Sequence, residues 1–349
     1  MKFNTEIKIG DKLVTNKSPT FIIAEAGVNH GGDLDLAKKL ILLAAKAGAD
    51  AVKFQTFRAD SLILKDVEKA PYQKISTGGI YRTQHDMLKI LEVTPSQNIV
   101  LKNFCKDNGI LFLTTPFEEE SLDSLDELNL PAYKIASTDL TNLPFLELVA
   151  KKGKPILLST GMSYMSEIES ALECIYPYNR DVIVLHCTAN YPISNDEVNL
   201  NVINSLKKNF EILVGFSDHT VGVGAAPYAI PMGAKVLEKH FTLGKDMLGP
   251  DHKASLSPDE LIELVQVVKK VDKYIGKSIK NPTLSETLTR KSLQKCLVAK
   301  VVISAGEPFT ATNITAKRTG GVGISPLYFH DICGKLSPRS FKVDEILEL

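Results

Sequence analysis

The chain has 349 residues with 41 basic and 41 acidic side chains, so its formal charge is zero. That length holds one large domain with a small one, or two medium ones, and a neutral balance excludes a global attraction to nucleic acid or anionic lipid. No apolar run is long enough to span a bilayer. The opening MKFNTEIKIGDK lacks the apolar core of a signal peptide. Cys105, Cys174, Cys187, Cys296 and Cys333 are odd in number and scattered, which argues against a disulfide framework or a CxxC metal site. These features predict a soluble protein of a reducing cytoplasm, with neither nucleic acid nor membrane as partner.

Strand-like apolar runs occur at Phe21–Gly27, Ala51–Thr56, Leu111–Phe117, Ala132–Ser137, Ile156–Gly161, Val182–Thr188, Ile212–Asp218 and Val236–Thr242. Between most of them lie stretches of helical period: Leu34–Gly48, Glu118–Leu128, Pro144–Gly153, Ser166–Tyr176 and Asn201–Phe210. Gly48 and Gly153 stand where helix ends favour a left-handed residue. Ser257-Pro258-Asp259-Glu260 is a capping box with proline at the first helical position, opening a helix to about Gly276. Strands and helices alternating in this number and order predict a (β/α)8 TIM barrel. A doubly wound open sheet is the rival, but chemical residues recur after nearly every strand rather than at one switch point.

Near residue 280 the rhythm stops. Lys280-Asn281-Pro282-Thr283 reads as a linker, and Arg290–Leu349 has short β-branched runs, turn residues and a glycine-rich stretch, Thr319 to Gly323. The expected organisation is a barrel over 1–280, a linker over 281–289 and a small, loop-rich β domain over 290–349, near the lower size limit for independent stability.

Strand parity then sorts the chemical candidates. Lys53 and Gln55 share a face, as do Ile23 and Glu25, and Ser217 and His219. A lysine in an apolar strand is costly to bury without an anion. Lys53 and Lys134, with Thr115, Ser137, Ser159 and Ser217 at strand ends, suit phosphate or a phosphorylated carboxylate; the alternative is that each lysine pairs with a nearby Asp or Glu. His219 and His240 close two late strands and have the chemistry to share a divalent metal with open positions for substrate, or else are satisfied buried histidines.

The segments Ile23-Ala24-Glu25-Ala26-Gly27-Val28-Asn29-His30, Val52-Lys53-Phe54-Gln55, Tyr133-Lys134-Ile135 and Leu185-His186-Cys187-Thr188 resemble the sialic acid synthase family. Gly215-Phe216-Ser217-Asp218-His219-Thr220, Glu238-Lys239-His240-Phe241-Thr242 and Gly249-Pro250-Asp251-His252 continue the set in family order. The C-terminal part, with Ala316-Lys317-Arg318 before its glycines, resembles the antifreeze-like (SAF) domain of those enzymes.

The resemblance implies condensation of phosphoenolpyruvate with an N-acylated mannosamine-type sugar, releasing phosphate and forming a nine-carbon 2-keto acid. It implies Mn2+ or Mg2+ on His219 and His240, polarising the sugar aldehyde as a Lewis acid. Glu25 would orient or deprotonate the attacking water. Lys53, Thr115, Lys134, Ser137, Ser159 and Ser217 would hold phosphoenolpyruvate. Gln55, Tyr72, Gln73, Asp139, Tyr191 and Asp251 would face the sugar, with Gln84 from the long loop after the second strand. Arg318 would reach the N-acyl group from the small domain of the other protomer in a domain-swapped homodimer.

Departures from the family pattern are Asp139 for a frequent glutamate, Ala189 for asparagine or threonine, and Thr319 for proline. N-acetylmannosamine, giving N-acetylneuraminate, is the expected substrate. The alternative is 2,4-diacetamido-2,4,6-trideoxymannose, giving N,N'-diacetyllegionaminate, toward which Pro71 leans; the pseudaminate branch fits less well. A metal-dependent barrel hydrolase and a non-enzymatic binding role for the C-terminal module are the rivals from other classes.

Overall fold

The computed structural model describes all 349 residues. They divide into two compact units, Met1–Gly276 and Lys277–Leu349.

The first unit begins with an antiparallel hairpin, β1 (Glu6–Ile9) and β2 (Lys12–Thr15). Eight parallel strands follow: β3 (Phe21–Gly27), β4 (Ala51–Thr56), β5 (Leu111–Pro116), β6 (Tyr133–Ile135), β7 (Ile156–Ser159), β8 (Val182–Cys187), β9 (Leu213–Asp218) and β10 (Val236–His240). Their order in the sheet is β5-β4-β3-β10-β9-β8-β7-β6, with β5 and β6 side by side at the two edges. First and last strands pair and chain neighbours adjoin all the way round, which is the (β/α)8 barrel.

Two concentric cores follow from strand parity. Phe21, Ile23, Ala51, Leu113, Leu157, Leu185, Leu213 and Val236 point inward and pack with Ile7, Ile9 and Val14, so the hairpin joins the inner core. The alternate residues, among them Ile22, Ala24, Val52, Phe54, Val184 and Leu237, pack against the surrounding helices. The inner core ends abruptly in sequence. One inward position beyond Ile23, Ala51 and Val236 stand Glu25, Lys53 and Glu238, so the upper interior of the barrel is polar.

Helix ends obey local chemistry. Asp33 accepts from the amides of Asp35 and Leu36 to start Leu34–Ala47, and Gly48 ends it at φ 82°. Ser257 and Glu260 cap Pro258–Ile275 reciprocally. No helix is long and apolar enough to cross a membrane.

Two expectations change. The segment between β4 and β5 is mostly helical, with Ala59–Leu62, Pro71–Thr77, Gln84–Leu91 and Pro95–Asp107. The segment expected as a linker, 281–289, is not all loop: it runs into a helix, Leu284–Leu293, started by a Thr283/Glu286 capping box. Accordingly the second unit starts at Lys277 rather than at 290. It holds the antiparallel pair β11 (Lys295–Ala299) and β12 (Ile314–Arg318). Its own core gathers Leu297, Ile303, Phe309, Ile314, Ile332, Phe341 and Leu347.

Candidate active site

At the C-terminal ends of the barrel strands lies a cavity of about 650 Å³, within the range of small-molecule sites. Of the seventeen residues given a role from the sequence, sixteen line it: Glu25, Lys53, Gln55, Tyr72, Gln73, Gln84, Thr115, Lys134, Ser137, Asp139, Ser159, Tyr191, Ser217, His219, His240 and Asp251. Arg318 belongs to the second unit, exposed at the end of β12. Ala189 also lines the cavity.

The floor is a charge network. Lys53 Nζ lies 2.8 Å from Glu25 Oε2 and 3.8 Å from Glu238 Oε2, and donates to Thr115 Oγ1 at 3.0 Å. Lys134 Nζ lies 3.6 Å from Glu238 Oε1, which also accepts from Ser217 Oγ at 3.0 Å. Both lysines therefore have carboxylate partners, and their burial alone does not require an outside anion. That corrects the argument from unpaired charge: Glu238 is the partner the sequence reading left without a role, although it shares strand parity with His240.

Burial competes with neighbouring charges in the titration of these groups. It raises Glu25 from the ordinary carboxylate value to about 7, the Lys53 charge opposing and the Glu238 charge adding to the rise. Lys53 is the main opposing charge but does not overcome burial. Burial also lifts Asp251 to about 6, with His219 and Lys53 opposing. Glu238 moves the other way. Its burial is outweighed by Lys134, Lys53 and the Ser217 hydroxyl, and the carboxyl stays below its ordinary value.

The two histidines stand on adjacent strand ends with ring centres 5.5 Å apart. His219 Nδ1 donates to the Thr188 carbonyl at 2.7 Å, which leaves Nε2 as the free lone pair. His240 Nδ1 is buried without a hydrogen-bond partner, 4.0 Å from Asp251 Oδ2. Nowhere does a cluster of three or more His, Cys, Asp or Glu form a metal-binding set. A fixed tautomer on one imidazole and an orphaned nitrogen on the other nevertheless suit an open site with few protein ligands. Tyr191 packs against both, its ring tilted to that of His219 at 4.0 Å and edge-on to that of His240 at 5.5 Å, and Tyr72 follows, 5.1 Å from Tyr191.

Unsatisfied polarity concentrates here. Six buried side-chain polar atoms lack a hydrogen-bond partner, and Glu25 Oε2, Ser159 Oγ, Glu238 Oε2 and His240 Nδ1 all belong to cavity residues. The Glu25 contact with Lys53 is thus an ion pair without hydrogen-bond alignment. Such groups are rare in folded proteins and mark a place prepared for a ligand. Gly27 makes the crowding possible: at φ 54° its missing Cβ would sit 3.3 Å from Glu25 Oε1 and 3.4 Å from His240 Cε1.

The remaining candidates differ in freedom. Ser137 Oγ accepts from the Gly161 amide at 2.8 Å, so its proton is free to donate. Gln73 is heavily engaged, accepting from the Ala70 amide at 2.9 Å and the Gln84 amide group at 3.1 Å, and donating to Tyr72 at 3.3 Å. It holds the wall of the cavity together. Asp139 accepts from Thr138 and Asn142. Cys187, its Sγ 3.9 Å from His219 Nδ1, is a lining residue that strand parity alone would have found.

A closed parallel barrel with a polar cavity at its C-terminal end, floored by lysine–carboxylate pairs, defines an enzyme of the (β/α)8 class. Residues 40–280 match the NeuB family, and the chain belongs to that family. It is an enzyme of the sialic acid synthase type, a phosphoenolpyruvate-dependent transferase that forms a carbon–carbon bond. It is 45% identical over 331 residues to the N,N'-diacetyllegionaminic acid synthase of Campylobacter jejuni, covering 94% of this chain and 98% of the relative. It is 41% identical to the protein of the same name from Legionella pneumophila, covering 90% and 89%. Among solved structures, the N-acetylneuraminic acid synthetase of Leptospira borgpetersenii, crystallised with citrate, superposes with a TM-score of 0.73 at 34% identity, covering 84% of this chain and 98% of that one.

Proposed function

We propose that this enzyme condenses phosphoenolpyruvate with 2,4-diacetamido-2,4,6-trideoxymannose, giving N,N'-diacetyllegionaminate and inorganic phosphate. The observation that carries the choice of sugar is the 45% identity, over nearly the whole of both chains, to a relative named for that product. The expected headline substrate, N-acetylmannosamine, has thinner support, since the solved relative named for N-acetylneuraminate is 34% identical.

The residues support the reaction in the following way. Phosphoenolpyruvate brings a carboxylate and a phosphate. Lys53, Lys134, Ser159, Ser217, Thr115 and Ser137 offer charged and neutral donors on one floor. The enol carbon forms a bond to the sugar aldehyde carbon while the aldehyde oxygen takes a proton. Water adds to the cationic carbon left behind, loses a proton, and the adduct expels phosphate by carbon–oxygen cleavage. Glu25, raised to about 7, is poised to accept a proton from that water near neutral pH. His219 and His240 would hold Mn2+ or Mg2+, which when bound supplies Lewis-acid polarisation of the aldehyde. Gln55, Tyr191, Asp139 and Asp251 face the sugar, and Arg318 reaches it from the other protomer of a homodimer.

The experiment is phosphate release from phosphoenolpyruvate with Mn2+, offering the trideoxy sugar and N-acetylmannosamine in parallel and identifying products by mass. A nine-carbon keto acid formed faster from the trideoxy sugar is expected. Turnover of N-acetylmannosamine alone would return the assignment to the neuraminate branch.

A further inference from the structure

The cavity has one wall that is apolar apart from Gln84, which opens the same helix as Met87 and Leu88. Val28 follows β3, Phe57 follows β4 and Phe117 follows β5, while Met87 and Leu88 come from the helix Gln84–Leu91 and Leu62 ends the helix Ala59–Leu62. These six pack as an apolar cluster separate from both barrel cores, and all six line the cavity. Phe57 and Phe117 meet edge-on at 6.0 Å. Nothing in the barrel core demands this cluster. It pins the helices between β4 and β5, and its half-buried members Leu62, Leu88 and Phe117 keep surface open at the cavity.

Position tells which part of a sugar meets it. The charged groups Glu25, Lys53, Lys134 and Glu238 occupy inward strand positions, so the reacting aldehyde carbon belongs at the floor beside Glu25 and His240. The far end of the sugar then points to the mouth, where the loops after β3, β4 and β5 stand. An acetamido group needs a hydrogen-bond partner beside its methyl, and the six residues provide none. The C6 methyl of a 6-deoxy sugar needs none.

We propose that this wall is the specificity subsite for C6 of the sugar, accepting a 6-deoxy methyl and disfavouring a 6-hydroxymethyl. A hydroxyl placed there would lose its water partners and gain no others. An apolar pocket discriminates against an added hydroxyl by up to about 100-fold. The inference rests on the site being that of a sialic-type synthase with its aldehyde at the floor, and it deepens the choice of sugar made above.

The test compares kcat/KM within two matched pairs of sugars, using the full-length enzyme with phosphoenolpyruvate and Mn2+. One pair is 2,4-diacetamido-2,4,6-trideoxymannose and its 6-hydroxy counterpart; the other is N-acetylmannosamine and its 6-deoxy counterpart. The 6-deoxy member should win by about tenfold or more in whichever pair turns over. Leu88→Gln, at a half-buried position, should shrink that ratio about tenfold, chiefly by improving the 6-hydroxy sugar, and Leu88→Met should preserve it. Leu62→Gln is the second variant should Leu88→Gln fold poorly. Equal rates within each pair in the parent enzyme, or a ratio unmoved by both glutamine variants, would overturn the subsite. Turnover confined to the second pair would refute the choice of the 2,4-diacetamido sugar while still testing the wall.

Discussion

Lys53 Nζ stands 2.8 Å from Glu25 Oε2, yet the Glu25 carboxyl is held up at about 7. Burial outweighs the lysine, and the like charge of Glu238 adds to the rise. A group with that value changes protonation in the range where the enzyme works. Only the ionised carboxylate accepts a proton, so kcat/KM should be low below pH 6, rise through about 7 and flatten above it. Glu25→Gln should lower kcat by about 100- to 10,000-fold and remove that inflection from the residual activity. A pH–rate profile with the same rise in the variant would mean another group sets it.

Glu238 is the anion already seated between the lysines, so on the proposed function incoming phosphate would compete with it. Glu238→Gln should raise the positive potential at Lys53 and Lys134 and tighten anion binding. We expect inorganic phosphate to raise the melting temperature of this variant more than that of the parent. Without phosphate the variant should melt lower, because two buried lysines then share Glu25 alone and breaking a buried pair costs about 3–5 kcal/mol. Differential scanning fluorimetry across a phosphate titration separates the two effects.

Much of this arrangement was legible from pattern, and the reasons for the rest are physical. Phe21–Gly27 and Ala51–Thr56 are bounded as their apolar runs suggest, because both faces of each strand are buried. Ala132–Ser137 shrinks to Tyr133–Ile135, since Ser137–Asp139 tightens into a 3-10 turn that presents its side chains to the cavity. Parity correctly placed Lys53 with Gln55 and Glu25 with Ile23. It could not show that Lys134 meets Glu238, because that pairing joins β6 to β10 across the barrel and depends on how the sheet closes. The helices after β4 carried readable caps, Thr83 with Asp86 and Thr94 with Gln97. Their short apolar patterns were masked by the polar face they turn outward. The apolar wall drew its residues from five separate places, and no local pattern predicts such a convergence.

Behind the histidines runs a second buried ion pair. Lys239 Nζ lies 2.6 Å from Asp218 Oδ2 and 2.8 Å from the Thr220 carbonyl. Asp218 also accepts from the Thr220 and Ala226 amides. The pair faces away from the cavity and ties β9 to β10 one residue from each histidine. Asp218→Asn keeps the shape but strands a buried ammonium, so it should cost about 3–5 kcal/mol in urea unfolding. Asp218→Asn with Lys239→Met should recover part of that loss, because removing both charges spares the desolvation of the survivor. A double variant no more stable than the single one would show that the hydrogen bonds to Thr220 and Ala226, not the charges, hold this corner.

The histidine pair gives the sharpest test of metal dependence. His219 Nδ1 is committed to the Thr188 carbonyl, so only Nε2 is free to ligate, and His240 contributes a nitrogen with no competing partner. With so few protein ligands the ion should exchange readily, unlike a closed structural zinc. Chelation with EDTA should therefore abolish phosphate release, and Mn2+ should restore it within mixing time without refolding. His219→Ala and His240→Ala should each weaken Mn2+ binding at least tenfold by equilibrium dialysis, as loss of one of two imidazoles requires. Both variants should keep the parental far-UV circular dichroism, since neither side chain belongs to the apolar cores. Unaltered Mn2+ affinity together with an unaltered rate in His219→Ala would place the ion elsewhere. The orphaned nitrogen of His240 would then answer to the sugar itself.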